Sequence, residues 1–230
     1  MKSYRAELLR FVNRSSIALL LLCVGLILFS MSNAGHQHHT PLWGFRQAAI
    51  LTATLLLGRA AVVASGDFSS GTIRAWLISR PSRAEVFSGK LAASITFAVG
   101  AAVLAGAVAY ALSGTMGDVP GFGAMAEATG QLAFAGTVLT FFGHAVGVLT
   151  RSIPVALTLT LVWILPAEKG LQGHSATLDK WLPGSVLQDI TLNRLRQGMS
   201  PTGAALHSAL PFVLLDVLAL VLFLRRDVNN

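Results

Sequence analysis

With 230 residues, 53% of them hydrophobic and only 12% charged, and with a mean hydropathy of +0.65, the chain lies far from soluble globular proteins, in which roughly a quarter of residues are charged. It reads as one integral membrane domain spanning 1–230, because apolar stretches take more than half of it and leave no room for a separate soluble domain. The net charge of +7 does not point to nucleic acid: the basic residues flank apolar stretches instead of forming one stripe interleaved with aromatics.

In chain order, residues 2–14 place Tyr4, Leu8, Phe11 and Val12 at near-helical spacing among four basic residues, which predicts a short helix lying in the membrane interface. A signal peptide is the competing reading, with 32–34 as a cleavage site, but the segments that follow are themselves apolar spans. A membrane-crossing helix needs about 20 apolar residues. Six stretches approach that, at 16–32, 47–65, 91–112, 129–150, 152–166 and 208–224, and together they predict an all-α bundle. Cys23 falls inside the first and, as the single cysteine, excludes an intrachain disulfide. His36, His38 and His39 follow in a short polar loop; three imidazoles without a fourth ligand read as solvated, and no metal is expected there.

Beyond the second stretch, residues 66–90 read as a basic loop. The third and fourth stretches carry Gly100, Gly106, Gly136, Gly143 and Gly147, which suit close helix packing. His144 lies in the fourth. The fifth covers only about 22 Å before Pro166. Residues 166–207 form the longest loop, in which Leu182, Val186, Leu187, Ile190 and Leu195 recur at roughly helical spacing and predict an amphipathic helix. Asp216 sits in the middle of the sixth stretch. An acid there costs about 2.5–3.5 kcal/mol on insertion scales, so it must face protein or water, and it is a functional candidate for that reason.

The orientation follows from the basic residues. Twelve of the seventeen Lys and Arg (Lys2, Arg5, Arg10, Arg14, Arg59, Arg74, Arg80, Arg83, Lys90, Arg151, Arg225 and Arg226) fall on the side of the termini, and five (Arg46, Lys169, Lys180, Arg194 and Arg196) on the other. The positive-inside rule then puts both termini in the cytoplasm and the 166–207 loop outside. A nucleotide site of the chain's own would need a Gly-x-x-x-x-Gly-Lys-Ser/Thr loop. Gly89-Lys90 has Ala84 in place of the first Gly and Leu91 after the Lys, so no cofactor is expected in this chain.

The residues from 67 to 90 carry a resemblance. An acid, Asp67, precedes Gly71-Thr72; a short segment with Arg74 and Arg80 follows; then Pro81, Ser82 and Arg83 lead to Lys90 at the mouth of the third span. This pattern resembles the coupling segment of ABC-2 transporter permeases, with Asp67 where Glu is commoner and a Pro-to-Arg spacing one residue tighter. The resemblance implies an interfacial elbow helix, six spans and an extracellular helical element before the last span. It also implies a bacterial-type cytoplasmic membrane, a second permease copy, and two ATP-binding subunits that hold ATP and Mg and move the permease through Asp67, Gly71, Thr72, Arg74, Arg80, Pro81 and Arg83. The implied activity is export of a peptide, drug, lipid or ion, with hydrolysis on the partner and no catalytic residue here. A second reading from the residues alone is a proton- or ion-coupled transporter using Asp216 and His144 without an ATPase. An integral membrane enzyme ranks below both, since no nucleophile–base pair or metal-ligand set shares a face.

Overall fold

The computed structural model describes residues 2–11, 13–73, 78, 82–175, 179, 181–195 and 198–225, and among them there are helices and turns but no strand. The helices are α1 (Lys2–Phe11), α2 (Arg14–Ala34), α3 (Pro41–Ser69), α4 (Arg83–Leu112), α5 (Phe122–Thr150), α6 (Ile153–Val162), α7 (Glu168–Leu171), α8 (Pro183–Thr191) and α9 (Pro201–Arg225). Six helical runs are long and apolar enough to cross a membrane, which makes this a multi-pass membrane protein.

Each run extends past the apolar stretch that announces it. Hydropathy ends where polar residues begin, but backbone hydrogen bonding continues until a cap stops it. Asn13 caps α2 by accepting from the Ser16 N–H at 2.8 Å, Thr40 caps α3 with Pro41 in its first turn, and Ser82 caps α4 by accepting from the Glu85 N–H at 3.3 Å. Two expectations change as a result. Asp67 and Lys90 are not in a loop: Asp67 lies in the last turns of α3 and Lys90 two turns into α4, so the connection shrinks to residues 70–82. Nor does the fifth span stop at Pro166. A π-helical turn, Trp163–Ala167, carries the helix through the proline, whose missing N–H and bulky ring an α turn would not accommodate. The run Ile153–Leu171 therefore has 19 residues, about 28 Å, close to the thickness of a hydrocarbon core.

The buried pair is α3 and α5. They are 61% and 72% buried over their apolar windows, against 22–39% for the other four runs, so the rest of the bundle wraps around these two. Small residues let them approach. A Cβ added at Gly143 would lie 2.4 Å from the Leu57 carbonyl oxygen, and one at Gly147 would lie 2.7 Å from that of Ala61. Without a hydrophobic force between helices in lipid, such backbone-to-backbone packing supplies much of the association. Leu21 and Phe29 on α2, Leu159 on α6 and Leu214 on α9 remain exposed, as lipid-facing residues should.

The predicted amphipathic helix of the long loop is present as α8, with Val186 and Leu187 buried. Its amino terminus is held by the buried Glu168 carboxylate, which accepts from the Gly184 N–H at 3.1 Å and the Ser185 N–H at 2.8 Å.

Candidate functional site

At one end of the bundle four charged side chains from three helices meet. Glu7 and Arg10 are three residues apart on α1 and so share a face. Asp67 reaches them from the end of α3 and Lys90 from the start of α4. Arg10 grips Asp67 with both terminal nitrogens, Nη2 to Oδ1 at 2.8 Å and Nη1 to Oδ2 at 3.1 Å, and also approaches Glu7 Oε1 at 3.3 Å. Lys90 Nζ pairs with Asp67 Oδ2 and lies 3.4 Å from Glu7 Oε1. Glu7, Asp67 and Lys90 are each at most 3% exposed, whereas Arg10 is half in solvent. Two acids against two bases leave the cluster neutral, the condition under which charges can be buried at all. The hydrogen bonds from Arg10 to the Asp67 carboxylate raise the guanidinium above its ordinary pKa, against an opposing effect of burial.

The segment that follows α3 hangs on this cluster. Gly71 takes a left-handed backbone, φ +72°, in which a side chain would be strained, and this turns the chain out of α3. The Thr72 hydroxyl then donates to Asp67 Oδ1 at 2.9 Å, and Ile73 is buried against Val86 and Phe87 of α4. Arg74, Arg80 and Pro81 lie outside the described residues. Ile78 is described and is 85% exposed. Arg83 is half-buried and donates to the Phe223 carbonyl at 3.3 Å, which ties the start of α4 to the last turns of α9. A basic group at a helix carboxyl terminus is favourable in its own right. Ser82 with Glu85 three residues on forms the pattern of a capping box, so this part of the motif also has a local structural role.

A second polar contact lies within the apolar interior. His144 of α5 and Asp216 of α9, 72 residues apart in sequence, meet with Nδ1 to Oδ1 at 2.8 Å. Both are buried, the Phe87 ring stands edge-on to the imidazole at 4.5 Å, and among the described residues His144 Nε2 has no hydrogen-bond partner. The pair can hold one proton between an imidazole and a carboxylate. Elsewhere, His39 stacks on Trp43 at 4.1 Å, and among the described residues no group of three or more His, Cys, Asp or Glu is placed to hold a metal ion.

The sequence residues thus fall into two groups. Asp67, Gly71, Thr72 and Lys90 come together, and His144 meets Asp216, but Arg83 is engaged with α9 rather than with that cluster. Glu7 and Arg10 were not singled out by the sequence. The available signal was that Glu7 is the one acid among the basic residues of 2–14 and stands one turn from an arginine. Searched against models of protein families and against curated proteins, the chain matches none.

Proposed function

We propose that the chain is the membrane subunit of an ATP-driven exporter of the ABC-2 type, working as two copies with two ATP-binding subunits. The observation that carries this reading is the attachment of the segment after α3. Through Asp67, it is bonded at once to α1 by Arg10, to α4 by Lys90 and to itself by Thr72. A force applied to residues 72–83 would therefore reach three helices through buried ion pairs, which resist deformation better than a solvated loop. In this reading α1 is the elbow helix in the cytoplasmic interface, both termini are cytoplasmic, and α8 lies at the outer surface of a bacterial-type cytoplasmic membrane. Exposed Ile78 faces the ATP-binding subunit, where ATP and Mg reside, and Arg74 and Arg80 belong to the same coupling segment of the sequence. Nucleotide binding favours one state of the permease and so shifts its population. The cargo is a peptide, drug, lipid or ion, and no feature selects among them.

The buried His144–Asp216 contact favours a second reading, a proton- or ion-coupled transporter that needs no ATPase. One experiment separates the two. The tagged chain purified from its native membrane should carry ATP-hydrolysing activity with it, the chain purified alone should have none, and Gly71→Val should reduce the recovered activity several-fold. Absence of co-purifying ATP hydrolysis, combined with proton flux into liposomes that Asp216→Asn abolishes, would replace the exporter with the proton-coupled transporter.

A further inference from the structure

Arg59 is a cation that the charged cluster leaves without an acid. It lies eight residues before Asp67 on α3, about 12 Å deeper along the helix axis. Its side chain runs back toward the start of α2, where Nη2 donates to Ser16 Oγ at 2.9 Å and the guanidinium stands 5.3 Å over the Phe11 ring. Nε is buried with no hydrogen-bond partner, and among the described residues no carboxylate pairs with the group. A cavity of about 260 Å³ opens beside it, lined by Arg59, Arg10, Asn13, Val62, Val63 and Ser70 together with Glu7 and Asp67. Those two carboxylates are already held by Arg10 and by Lys90, which stands behind them and does not line the cavity, so the four lining charges together with Lys90 leave one positive charge over. The amino terminus of α2 adds its partial positive charge at Asn13 and Ser16.

We propose that this cavity binds the phosphate of an anionic phospholipid, with Arg59 as its counter-charge. Depth favours a lipid over a phosphate from solution. Ser16 immediately precedes the apolar run of α2, so the guanidinium sits where a span enters hydrocarbon, at the level of lipid headgroups. Leu9 of α1 and Ile17 and Leu21 of α2 are 73%, 53% and 69% exposed at the same end, a surface suited to acyl chains and not to a soluble ion. Asn13, which caps α2, keeps that helix start in place beside the headgroup. The site does not depend on the exporter reading, since its lining and its charge balance are read from α1 to α4 without reference to transport.

The test is lipid binding to the purified full chain in detergent, with phosphatidylglycerol, phosphatidylcholine and glycerol phosphate as probes. Phosphatidylglycerol should bind about fivefold more tightly than phosphatidylcholine, the effect of one basic residue at an anionic surface. Arg59→Gln should erase that preference and Arg59→Lys should keep most of it. Equal binding of the two lipids, or an undiminished preference in Arg59→Gln, overturns the proposal. Displacement of phosphatidylglycerol by millimolar glycerol phosphate would also overturn it, by assigning the site to soluble phosphate. Should Arg59→Gln fail to fold, a headgroup-photoactivatable phosphatidylglycerol on the unaltered chain decides: cross-links must fall within 7–21 and 59–70, and cross-links confined to other segments sink it.

Discussion

At the scale of single residues, Lys90 decides most. It touches both buried carboxylates, and its removal leaves Glu7 and Asp67 sharing one half-exposed arginine. Breaking a buried pair in this way costs about 3–5 kcal/mol, because a desolvated charge stays behind, whereas removing both partners can be close to neutral. Lys90→Met should therefore lower the thermal midpoint in detergent sharply, and adding Asp67→Asn should recover at least half of the loss. A double variant no more stable than Lys90→Met alone would show that Lys90 acts through packing and not through charge. None of these pairings was legible in the sequence, although Asp67 and Lys90 were marked by their place in the motif. Pairing requires three helices to converge, and neither hydropathy nor spacing carries the angle at which α1 crosses α4. The same holds for His144 and Asp216, each conspicuous alone and 72 residues apart.

The six crossing elements, by contrast, were legible, because a run of apolar residues long enough to span hydrocarbon has few other destinations. Their ends were less so. Asn13, Thr40 and Ser82 are capping residues at readable positions, but the helix through Pro166 depends on a π turn that the proline alone does not announce. Packing between elements makes a sharper prediction. On α5, Gly130 has nothing within 4 Å of where a Cβ would stand, while Gly143 meets the Leu57 carbonyl oxygen at 2.4 Å. Gly130→Ala should be neutral or should stabilise by about 0.5–1 kcal/mol, the helix-propensity difference. Gly143→Ala should instead cost about 1–3 kcal/mol, since α3 must move away along its backbone. Equal thermal midpoints for the two variants would contradict the close approach of α3 and α5.

At the scale of the whole molecule, the starts of α2 and α4 and the ends of α3, α5 and α9 share one end of the bundle, as contacts from Asp67 to Arg10, Ser69 to Arg151 and Arg83 to Phe223 require. The proposed orientation puts that end in the cytoplasm. With Cys23 replaced by Ser, single cysteines at exposed Ser70, Asp118 and Ser175 report it. A membrane-impermeant thiol reagent applied to intact cells should label the positions at 118 and 175 and spare the one at 70. Labelling at 70 alone would invert the orientation and with it the exporter reading, since ATP is available only inside the cell.

The contact of Glu168 with α8 bears on how the protein is made. The run that ends in Glu168 and Leu171 has a mean hydropathy of 1.3, against 1.8 or more for the other five, and it carries a carboxylate that is buried in the finished fold. The N–H groups that receive this carboxylate belong to Gly184 and Ser185, which leave the ribosome 16 and 17 residues later. The weakest of the six runs is thus also the one whose acid lacks its α8 partners at the moment it is synthesised. The expected outcome is that this run inserts fully only once α8 has emerged, so a chain truncated before Gly184 should show less complete insertion of 153–171 by protease protection than the whole chain does.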